Sequence, residues 1–183
     1  MHVIIVGAGN VGYTLARTLS KQHSVMMVER DEKRYERMVE NLDIGAVNAN
    51  GANPRVLKDL MNEQTELFLA VTESDEFNIF ACLVAKQVKP GISTIARVRN
   101  PDYLGGVLRS SAMGVDRTIS PERLTAAKIA RMARVENLVD YESMPVLGLE
   151  MGVFRITARQ DAALFRPIRY LEMPPGSTLA VIH

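Results

Sequence analysis

The sequence has few of the residues that carry redox chemistry or structural cross-links. It contains one cysteine, Cys82, three histidines and no tryptophan among 183 residues. A single cysteine excludes an intrachain disulfide, which suits a reducing compartment such as the cytoplasm. No cluster of cysteine, histidine and carboxylate residues has the spacing of metal ligands, so no metal site is predicted. Cys82 lies in an apolar helical segment and is expected to be a buried thiol.

Long hydrophobic runs and an excess of one charge are also missing. No stretch approaches the roughly 20 apolar residues that cross a bilayer. The apolar run Met1–Val6 is too short for a signal peptide. The formal net charge of +1 does not suit a general nucleic-acid-binding protein. We therefore expect a cytoplasmic protein that binds no nucleic acid, does not insert into a membrane itself, and makes any membrane contact through a partner protein.

Short runs rich in valine and isoleucine alternate with longer segments of mixed polarity. Six runs are predicted to be strands, at His2–Val6, Ser24–Val28, Ile44–Val47, Leu67–Val71, Ser93–Ala96 and Val115–Ile119. The segments between them are predicted to be helices, at Val11–Lys21, Glu32–Asn41, Pro54–Leu60, Glu76–Val88 and Pro101–Ser111. Such alternation predicts strands buried on both faces in a parallel sheet. The predicted fold class is therefore α/β, a Rossmann-like doubly wound sheet of six parallel strands.

Helix starts are marked by residues suited to N-capping. Four residues are predicted N-caps: Asp31, Asn53, Asp75 and Asn100. A sixth helix is predicted at Pro121–Glu136, and four alanines make one side of it small. That helix either packs on its own sheet or forms a dimer contact, and the sequence leaves both interpretations open.

The pattern changes after Glu136. Residues 1–136 are predicted to form a first domain, and residues 137–183 a linker followed by a small, partial α+β lobe. The predicted pieces of the second part are a linker at Asn137–Pro145, an extended stretch at Val146–Thr157, a short helix at Phe165–Leu171 and a strand at Thr178–Ile182.

A glycine-rich motif directly follows the first predicted strand and opens the first helix. It consists of Gly7, Ala8, Gly9, Asn10, Val11 and Gly12. In a G-x-G-x-x-G motif of this kind, the first glycine permits the tight turn and the second lets the backbone approach a pyrophosphate. The third lets helix and sheet pack closely. Amide groups at the helix N-terminus then face the phosphate. The motif therefore predicts a dinucleotide or nucleotide site.

Polar residues at the ends of later strands extend this prediction. Glu29 ends the second strand, 17 residues after Gly12, where an acid hydrogen-bonds ribose hydroxyls. A carboxylate there disfavours a 2′-phosphate, although the neighbouring Arg30 favours one. Further candidates stand at the ends of the third, fourth and fifth strands: Asn50 and Gly51, Thr72 and Glu73, and Arg97. Ligands bind outside the carboxyl ends of parallel strands, so these residues are expected to share one crevice.

Several blocks of the sequence together resemble the regulator-of-potassium-conductance (RCK) domain of the TrkA family of potassium uptake regulatory subunits. The blocks are VIIVGAGNVG, VERD, NGANPRVL, AVTESDEFN, ARVRNPDY and GVDRTISPERL, all within residues 1–136. A further segment, PIRYLEMPPGSTLAVIH, resembles the beginning of the TrkA C-terminal lobe. That lobe normally continues through further strands, so this copy is expected to be partial.

The resemblance implies a cytosolic module on the inner face of the cell membrane that gates a membrane potassium transporter or channel. It implies self-association as a dimer and as a larger ring. It also implies a pocket lined by Gly7–Val11, Glu29, Asn50-Gly51, Thr72-Glu73 and Arg97. NAD(H) is the favoured ligand, with ATP or ADP as the alternative. The acidic residue usual after the third strand is replaced here by Asn50-Gly51.

Candidate catalytic groups are missing from the expected places. A dehydrogenase needs a positioned acid or base beside the nicotinamide. The three histidines begin the first strand (His2), occupy the turn before the second (His23) and stand at residue 183 (His183), which suits structural or surface roles. No catalytic residue is assigned, and the protein is predicted not to be an enzyme. One alternative is a small NAD(P)-dependent oxidoreductase, or its cofactor-binding half, with a substrate site built from Thr72–Asn78 and a partner chain. The other is a regulator of a different cation transport system.

Overall fold

The computed structural model describes residues 1–105, 114–134, 138–144, 148–154 and 178. The chain divides into two compact units, residues 1–123 and 124–183. In chain order the described elements are β1 (His2–Val6), α1 (Asn10–Leu19), β2 (Ser24–Glu29), α2 (Glu32–Asn41), β3 (Gly45–Asn48), α3 (Pro54–Leu60), β4 (Thr65–Ala70), α4 (Asp75–Val88), β5 (Ser93–Arg97), α5 (Asp102–Gly105), β6 (Arg117–Ile119), α6 (Pro121–Arg134), β7 (Leu138–Met144) and β8 (Leu149–Phe154).

The first unit is built on a six-stranded sheet in the order β3-β2-β1-β4-β5-β6, with every neighbouring pair parallel. The predicted fold class is thereby confirmed, and each predicted strand and helix of this unit overlaps an observed one. The chain adds β2 and β3 on one side of β1, and then crosses to add β4, β5 and β6 on the other. The strand order therefore reverses between β1 and β4, which is where open sheets of this kind bind ligands.

The central strand β1 explains why the sheet has a core on both faces. All five of its residues are buried, and side chains alternate between the faces of a strand. Ile4 and Val6 join the apolar cluster that includes Cys82 of α4, whereas Val3 and Ile5 join the cluster on the other face. Burying one such side chain contributes about 1.5–3 kcal/mol. The buried run HVIIV therefore forms the centre of the sheet and contributes side chains to the apolar clusters on both of its faces.

The helix starts confirm two predicted caps and correct a third. The carboxylate of Asp31 accepts from the backbone N–H of Arg34, and the side-chain oxygen of Asn53 accepts from the N–H two residues later. The prediction for Asp75 was wrong, because Ser74 is the cap of α4 and its hydroxyl accepts from the N–H of Phe77. Asp75 is the first helical residue, and its buried carboxylate bonds to another loop instead.

The loop after β5 bears on the two remaining predictions of this unit. The side-chain oxygen of Asn100 accepts from the N–H of Asp102, so it bonds at the start of α5 as expected. The described part of the helix predicted at Pro101–Ser111 is Asp102–Gly105, and residues 106–111 of that prediction lie outside the described residues.

One prediction for the later part of the chain needs correction, and two others fall outside the described residues or nearly so. Asn137–Pro145 was predicted to be a linker, but Leu138–Met144 is strand β7, antiparallel to β8. Gly148, a turn residue directly before β8, has a φ of +64°. The predicted helix Phe165–Leu171 lies outside the described residues, and so does the predicted strand Thr178–Ile182 apart from Thr178, which is in neither helix nor strand.

Helix α6 is observed at Pro121–Arg134, within the predicted Pro121–Glu136. None of its residues is buried, and both interpretations of this helix stay open. Its dimer contact stays a prediction. Across the part of the chain that the structure describes, no helix combines the length and apolarity needed to cross a membrane.

Candidate functional site

A cavity of about 720 Å³ opens at the carboxyl ends of the parallel strands. Loops after β1, β2, β3, β4 and β5 all contribute to its wall. Nine of the twelve predicted binding residues line it: Gly7, Gly9, Asn10, Val11, Glu29, Gly51, Thr72, Glu73 and Arg97. Nine residues outside that set also line it: Val6, Val28, Arg30, Arg34, Ala49, Val71, Ser74, Phe77 and Arg99. Apart from Asn50, the strand-end candidates therefore share one crevice, as the parallel topology predicts.

The other three predicted residues lie behind the wall. The backbone N–H of Ala8 donates to the Glu29 carboxylate at 2.6 Å, which fixes the glycine loop on β2. Gly12 lies beneath the loop, against the carbonyl of Gly7. The side-chain oxygen of Asn50 accepts from the N–H of Ala52 at 2.9 Å and shapes the turn after β3. In this structure these residues support the pocket from outside its lining.

The three glycines of the motif serve different purposes. Gly7 has a φ of +102°, a conformation that L side chains rarely adopt. A Cβ on Gly12 would lie 1.8 Å from the carbonyl oxygen of Gly7, so the loop and α1 can meet only at a glycine. A Cβ on Gly9 would meet no atom closer than a guanidinium nitrogen of Arg34 at 3.9 Å. The fold requires Gly7 and Gly12, whereas the space beside Gly9 faces the cavity.

Helix α1 presents unused donors to this space. Gly9 is its N-cap, has extended backbone, and provides no side-chain cap. The first N–H to bond within the helix is that of Tyr13, which donates to the Gly9 carbonyl at 2.8 Å. The N–H groups before it have no helical acceptor, and the helix dipole favours an anion beside them. The loop therefore has the form of a phosphate-binding helix N-terminus.

Glu29 is 6% exposed and holds two loops in place. One carboxylate oxygen accepts from the N–H of Ala8 at 2.6 Å, and the other accepts from the N–H of Asp31 at 2.9 Å. Each carboxylate oxygen has a further lone pair, so the group retains acceptor capacity for a hydroxyl in the cavity. The predicted ribose acceptor is thus also a structural link between the glycine loop and the start of α2.

Asn78 is a supporting residue that sequence reasoning missed. It is fully buried on α4. Its side-chain oxygen accepts from the N–H and the hydroxyl of Thr72, at 2.9 and 2.7 Å. Its side-chain nitrogen donates to the carbonyls of Thr72 and Arg97, at 3.2 and 2.9 Å. Asn78 therefore ties the end of β4 to the end of β5, and an asparagine within an apolar helical run was the available signal.

Four arginines and two glutamates line the cavity, which gives it a cationic character. Arg97 pairs with Glu122, while its Nε is buried without a partner. Arg99 bonds to the Asp75 carboxylate and to the carbonyl of Glu73. Burial raises the pKa of Glu122, but the hydrogen bond from Arg97, a backbone hydrogen bond and the charges of Arg97 and Arg99 together hold this pKa below its ordinary value. The pocket therefore suits an anionic ligand.

The remaining arginine with a charged partner is Arg34, which pairs with Glu73 at 2.8 Å. That hydrogen bond raises the pKa of the Arg34 guanidinium. Arg34 was missed because an exposed charge in the first turn of a helix has the pattern of an ordinary solvated face. Its position three residues after the cap Asp31, and five after Glu29, was the available clue.

The prediction that Cys82 is a buried thiol is confirmed. It is fully buried in α4, and burial raises its pKa to about 12. Within the described residues, no group of three or more histidine, cysteine and carboxylate residues is placed to hold a metal ion.

Comparison with known proteins places this geometry in a family. The family model described as the TrkA-N domain matches residues 3–121. A Trk system potassium uptake protein TrkA homolog from Archaeoglobus fulgidus is 39% identical, over 100% of this chain and 42% of that protein. The Trk system potassium uptake protein TrkA of Halomonas elongata is 31% identical, over 98% of this chain and 44% of that protein. The chain thus spans about two fifths of the length of these curated relatives.

Solved structures share the fold. The TrkA-N domain of the inner membrane protein ybaL from Escherichia coli superposes with a TM-score of 0.62 at 22% identity, covering 74% of this chain and 96% of that one. The GsuK channel bound to NAD superposes with a TM-score of 0.58 at 23% identity, covering 67% of this chain and 22% of that one. The sequence match over residues 3–121 carries the conclusion, and the chain belongs to the TrkA-N domain family.

Proposed function

We propose that this chain is the nucleotide-binding regulatory part of a potassium transport system. The observation that carries the proposal is the cationic crevice at the strand-order reversal, where the glycine loop aims the free N–H groups of α1 into the cavity. Membership of the TrkA-N family supports it, because relatives at 31–39% identity are named as Trk system potassium uptake proteins.

In this proposal a pyrophosphate lies on the glycine loop and the adenosine ribose lies beside Glu29. The open space at Gly9 supports the first placement, because it leaves room for a ligand where a side chain would otherwise stand. The spare acceptor capacity of the Glu29 carboxylate supports the second. Gly51 borders the cavity without a side chain, and Thr72 and Arg97 stand on the opposite wall, where they contact the distal part of the ligand.

NAD(H) is the proposed ligand, and ATP or ADP is the alternative. GsuK, which shares the fold, has been solved with NAD and with ADP. Glu29 opposes a 2′-phosphate by charge repulsion, so NADPH is expected to bind more weakly than NADH. Arg30, which also lines the cavity, reduces that difference without reversing the preference.

Regulation follows if differently charged nucleotides stabilise different arrangements of paired domains, since a ligand shifts an equilibrium only through its differential affinity. We propose that the paired domains act on the cytoplasmic face of a membrane potassium transporter or channel. Regulation is preferred to catalysis because relatives at 31–39% identity are named as Trk system potassium uptake proteins. Gating of another cation transporter stays an alternative.

The first test is titration calorimetry with NAD+, NADH, NADPH, ATP and ADP. Wild type is compared with Gly9→Asp, which puts a carboxylate where the phosphate is proposed to lie. Thr14→Asp is the matched control, since it adds the same charge to the exposed side of α1 outside the cavity. Binding that is retained in the control and lost in Gly9→Asp supports the proposal. If no nucleotide binds wild type at millimolar concentration, the proposal fails.

The second test asks whether binding regulates transport or supports catalysis. Rubidium uptake is measured in proteoliposomes that contain the potassium-translocating partner subunit, with wild type or Gly9→Asp added together with nucleotide. Nucleotide-dependent uptake with wild type only is the expected result. Steady oxidation of NADH by the chain alone, with no effect on uptake, would favour the oxidoreductase alternative.

A further inference from the structure

An ion pair between Arg34 and Glu73 lies at the solvent-exposed side of the cavity, and we call it the mouth pair. Arg34 stands in the first turn of α2, and Glu73 stands on the loop after β4, so the pair joins the two sides of the crevice. The Nη2 of Arg34 lies 2.8 Å from the Oε1 of Glu73, and both residues line the cavity. A ligand that enters the crevice therefore passes a cation already paired with an anion.

The mouth pair is close to the proposed phosphate position. The Nη1 of Arg34 is 3.9 Å from the point where a Cβ on Gly9 would stand. Gly9 is the N-cap of α1, so the guanidinium lies beside the helix N–H groups that are free to receive an anion. Arginine binds phosphate through two parallel N–H donors, and such pairs are stronger than neutral hydrogen bonds.

The mouth pair differs from the other arginine contacts in the cavity. Arg97 is 14% exposed, and its partner Glu122 lies outside the lining. Arg99 bonds to Asp75, whose side chain is 8% exposed. Arg34 and Glu73 are 47% and 70% exposed, and ion pairs so exposed to water stabilise a protein little. Of these three contacts, the mouth pair is therefore the one that exchanges its anion at low cost.

We propose that Arg34 binds a phosphate of the incoming nucleotide and that Glu73 is an internal anion competing for the same guanidinium. This inference rests on the proposed nucleotide site and adds to it a residue that sets affinity and selectivity. Binding transfers Arg34 from the carboxylate to the phosphate and releases Glu73 to water. Ligands with more phosphate charge compete better, so this one contact contributes more to the binding of ADP than to that of a dinucleotide, whose phosphates are both esterified, and it narrows the preference for NAD(H).

The exchange is tested with Glu73→Gln and Arg34→Gln in calorimetric titrations with ADP, NAD+ and inorganic pyrophosphate. Glu73→Gln frees the arginine and is expected to tighten ADP binding about two- to fivefold. Arg34→Gln removes the phosphate contact and is expected to weaken ADP binding roughly tenfold. Glu36→Gln and Arg37→Gln are charge-matched controls, because both residues are exposed on α2 outside the cavity. Thermal melts of every variant establish that each one is folded.

The double variant separates exchange from simple repulsion. If Glu73 acts by holding Arg34, Glu73→Gln has no effect once Arg34 is glutamine. If Glu73→Gln tightens binding equally in both backgrounds, or leaves ADP affinity unchanged in the wild-type background, the exchange is refuted even though the nucleotide site stands. A wild type and a Glu73→Gln variant that both fail to bind ADP, NAD+ and pyrophosphate would refute the nucleotide site itself, and the exchange with it.

Discussion

Replacing Gly12 or Gly9 by alanine separates the structural glycine from the one that faces the cavity. The two changes are chemically identical and lie three residues apart on the same loop and helix. The added Cβ would stand 1.8 Å from the Gly7 carbonyl oxygen in Gly12→Ala. In Gly9→Ala its nearest neighbour would be the flexible end of Arg34 at 3.9 Å. Only the first change is expected to destabilise the fold.

The magnitude follows from how far the backbone must move. Ordinary contacts begin near 3.4 Å, so the helix and the Gly7 carbonyl must separate by about 1.5 Å in Gly12→Ala. Overpacking of backbone against backbone in a close-packed interior costs about 2–4 kcal/mol. For a chain of this size we expect a fall in unfolding temperature of about 5–15 °C. Gly9→Ala keeps an extended backbone that alanine adopts readily, so its unfolding temperature should shift by less than about 2 °C.

The assay is thermal unfolding by circular dichroism, first without nucleotide and then with a saturating concentration of the nucleotide that binds wild type. Bound ligand raises the unfolding temperature by mass action. Gly9→Ala should resemble wild type without nucleotide and should gain less from its addition, because the Cβ occupies space proposed for the phosphate.

Two outcomes would refute the reasoning. A Gly12→Ala protein that unfolds at the wild-type temperature would show that the loop accommodates the Cβ and that the close approach to Gly7 is not required. A Gly9→Ala protein that unfolds as early as Gly12→Ala would show that Gly9 is a structural glycine as well. In that case the open space beside it would no longer support a ligand position.

Three further predictions rest on buried groups. Because its pKa is raised to about 12, Cys82 should react with a thiol reagent at pH 8 only as fast as the protein opens; immediate reaction of the native protein would contradict its burial. Asp75→Ala leaves two N–H groups of the loop after β5 without their acceptor, so the free energy of unfolding measured in urea should fall by about 2–4 kcal/mol. An unchanged free energy of unfolding would show that the carboxylate is not needed. Burial, with the charges of Lys89 and the amino terminus, lowers the pKa of His2 below 6.5 in the folded protein. The unfolded chain therefore binds a proton more readily than the folded one, and the free energy of unfolding falls as the pH drops below 6.5. The loss of unfolding free energy between pH 6.5 and 5, measured by urea unfolding, should be smaller in His2→Gln than in wild type. An equal loss in the two proteins would exclude His2 as its source.

The sequence predicts the first unit well because its signals are local. Each strand of the sheet is a short run of valine, isoleucine and similar residues, and burial on both faces leaves no other pattern for a central parallel strand. The caps Asp31 and Asn53 stand directly before the first residues of α2 and α3, where a side-chain oxygen reaches the free N–H groups of the first turn. Asp75 was misassigned because Ser74 is also a good cap, and only the fold brings the N–H groups of residues 99 and 100 to the Asp75 carboxylate.

The candidate site is less predictable where it depends on distant contacts. The glycine loop and Glu29 follow from motif spacing, whereas Arg34 reaches the cavity only because α2 begins beside the glycine loop. Asn78 belongs to no recognised motif. Its role comes from hydrogen bonds to Thr72 and Arg97 at the ends of two strands, which only the fold brings together. The strand Leu138–Met144 was missed for another reason. Apolar and polar residues alternate from Val139 to Glu142, a pattern typical of a strand with one exposed face, but the segment was predicted to be a linker.

The four hydrogen bonds of Asn78 have a mechanical consequence for the crevice. They join the ends of β4 and β5, so the wall that carries Thr72 and Arg97 moves as one stiff piece. The facing wall, formed by the glycine loop and the start of α2, is joined to it at its exposed side by the weak contact between Arg34 and Glu73. If the crevice opens, we expect the glycine loop and the start of α2 to move and the wall held by Asn78 to stay in place. Since the Arg97 side chain also bonds to Glu122 at the beginning of α6, the stiff wall is continuous with the helix that leaves the first unit.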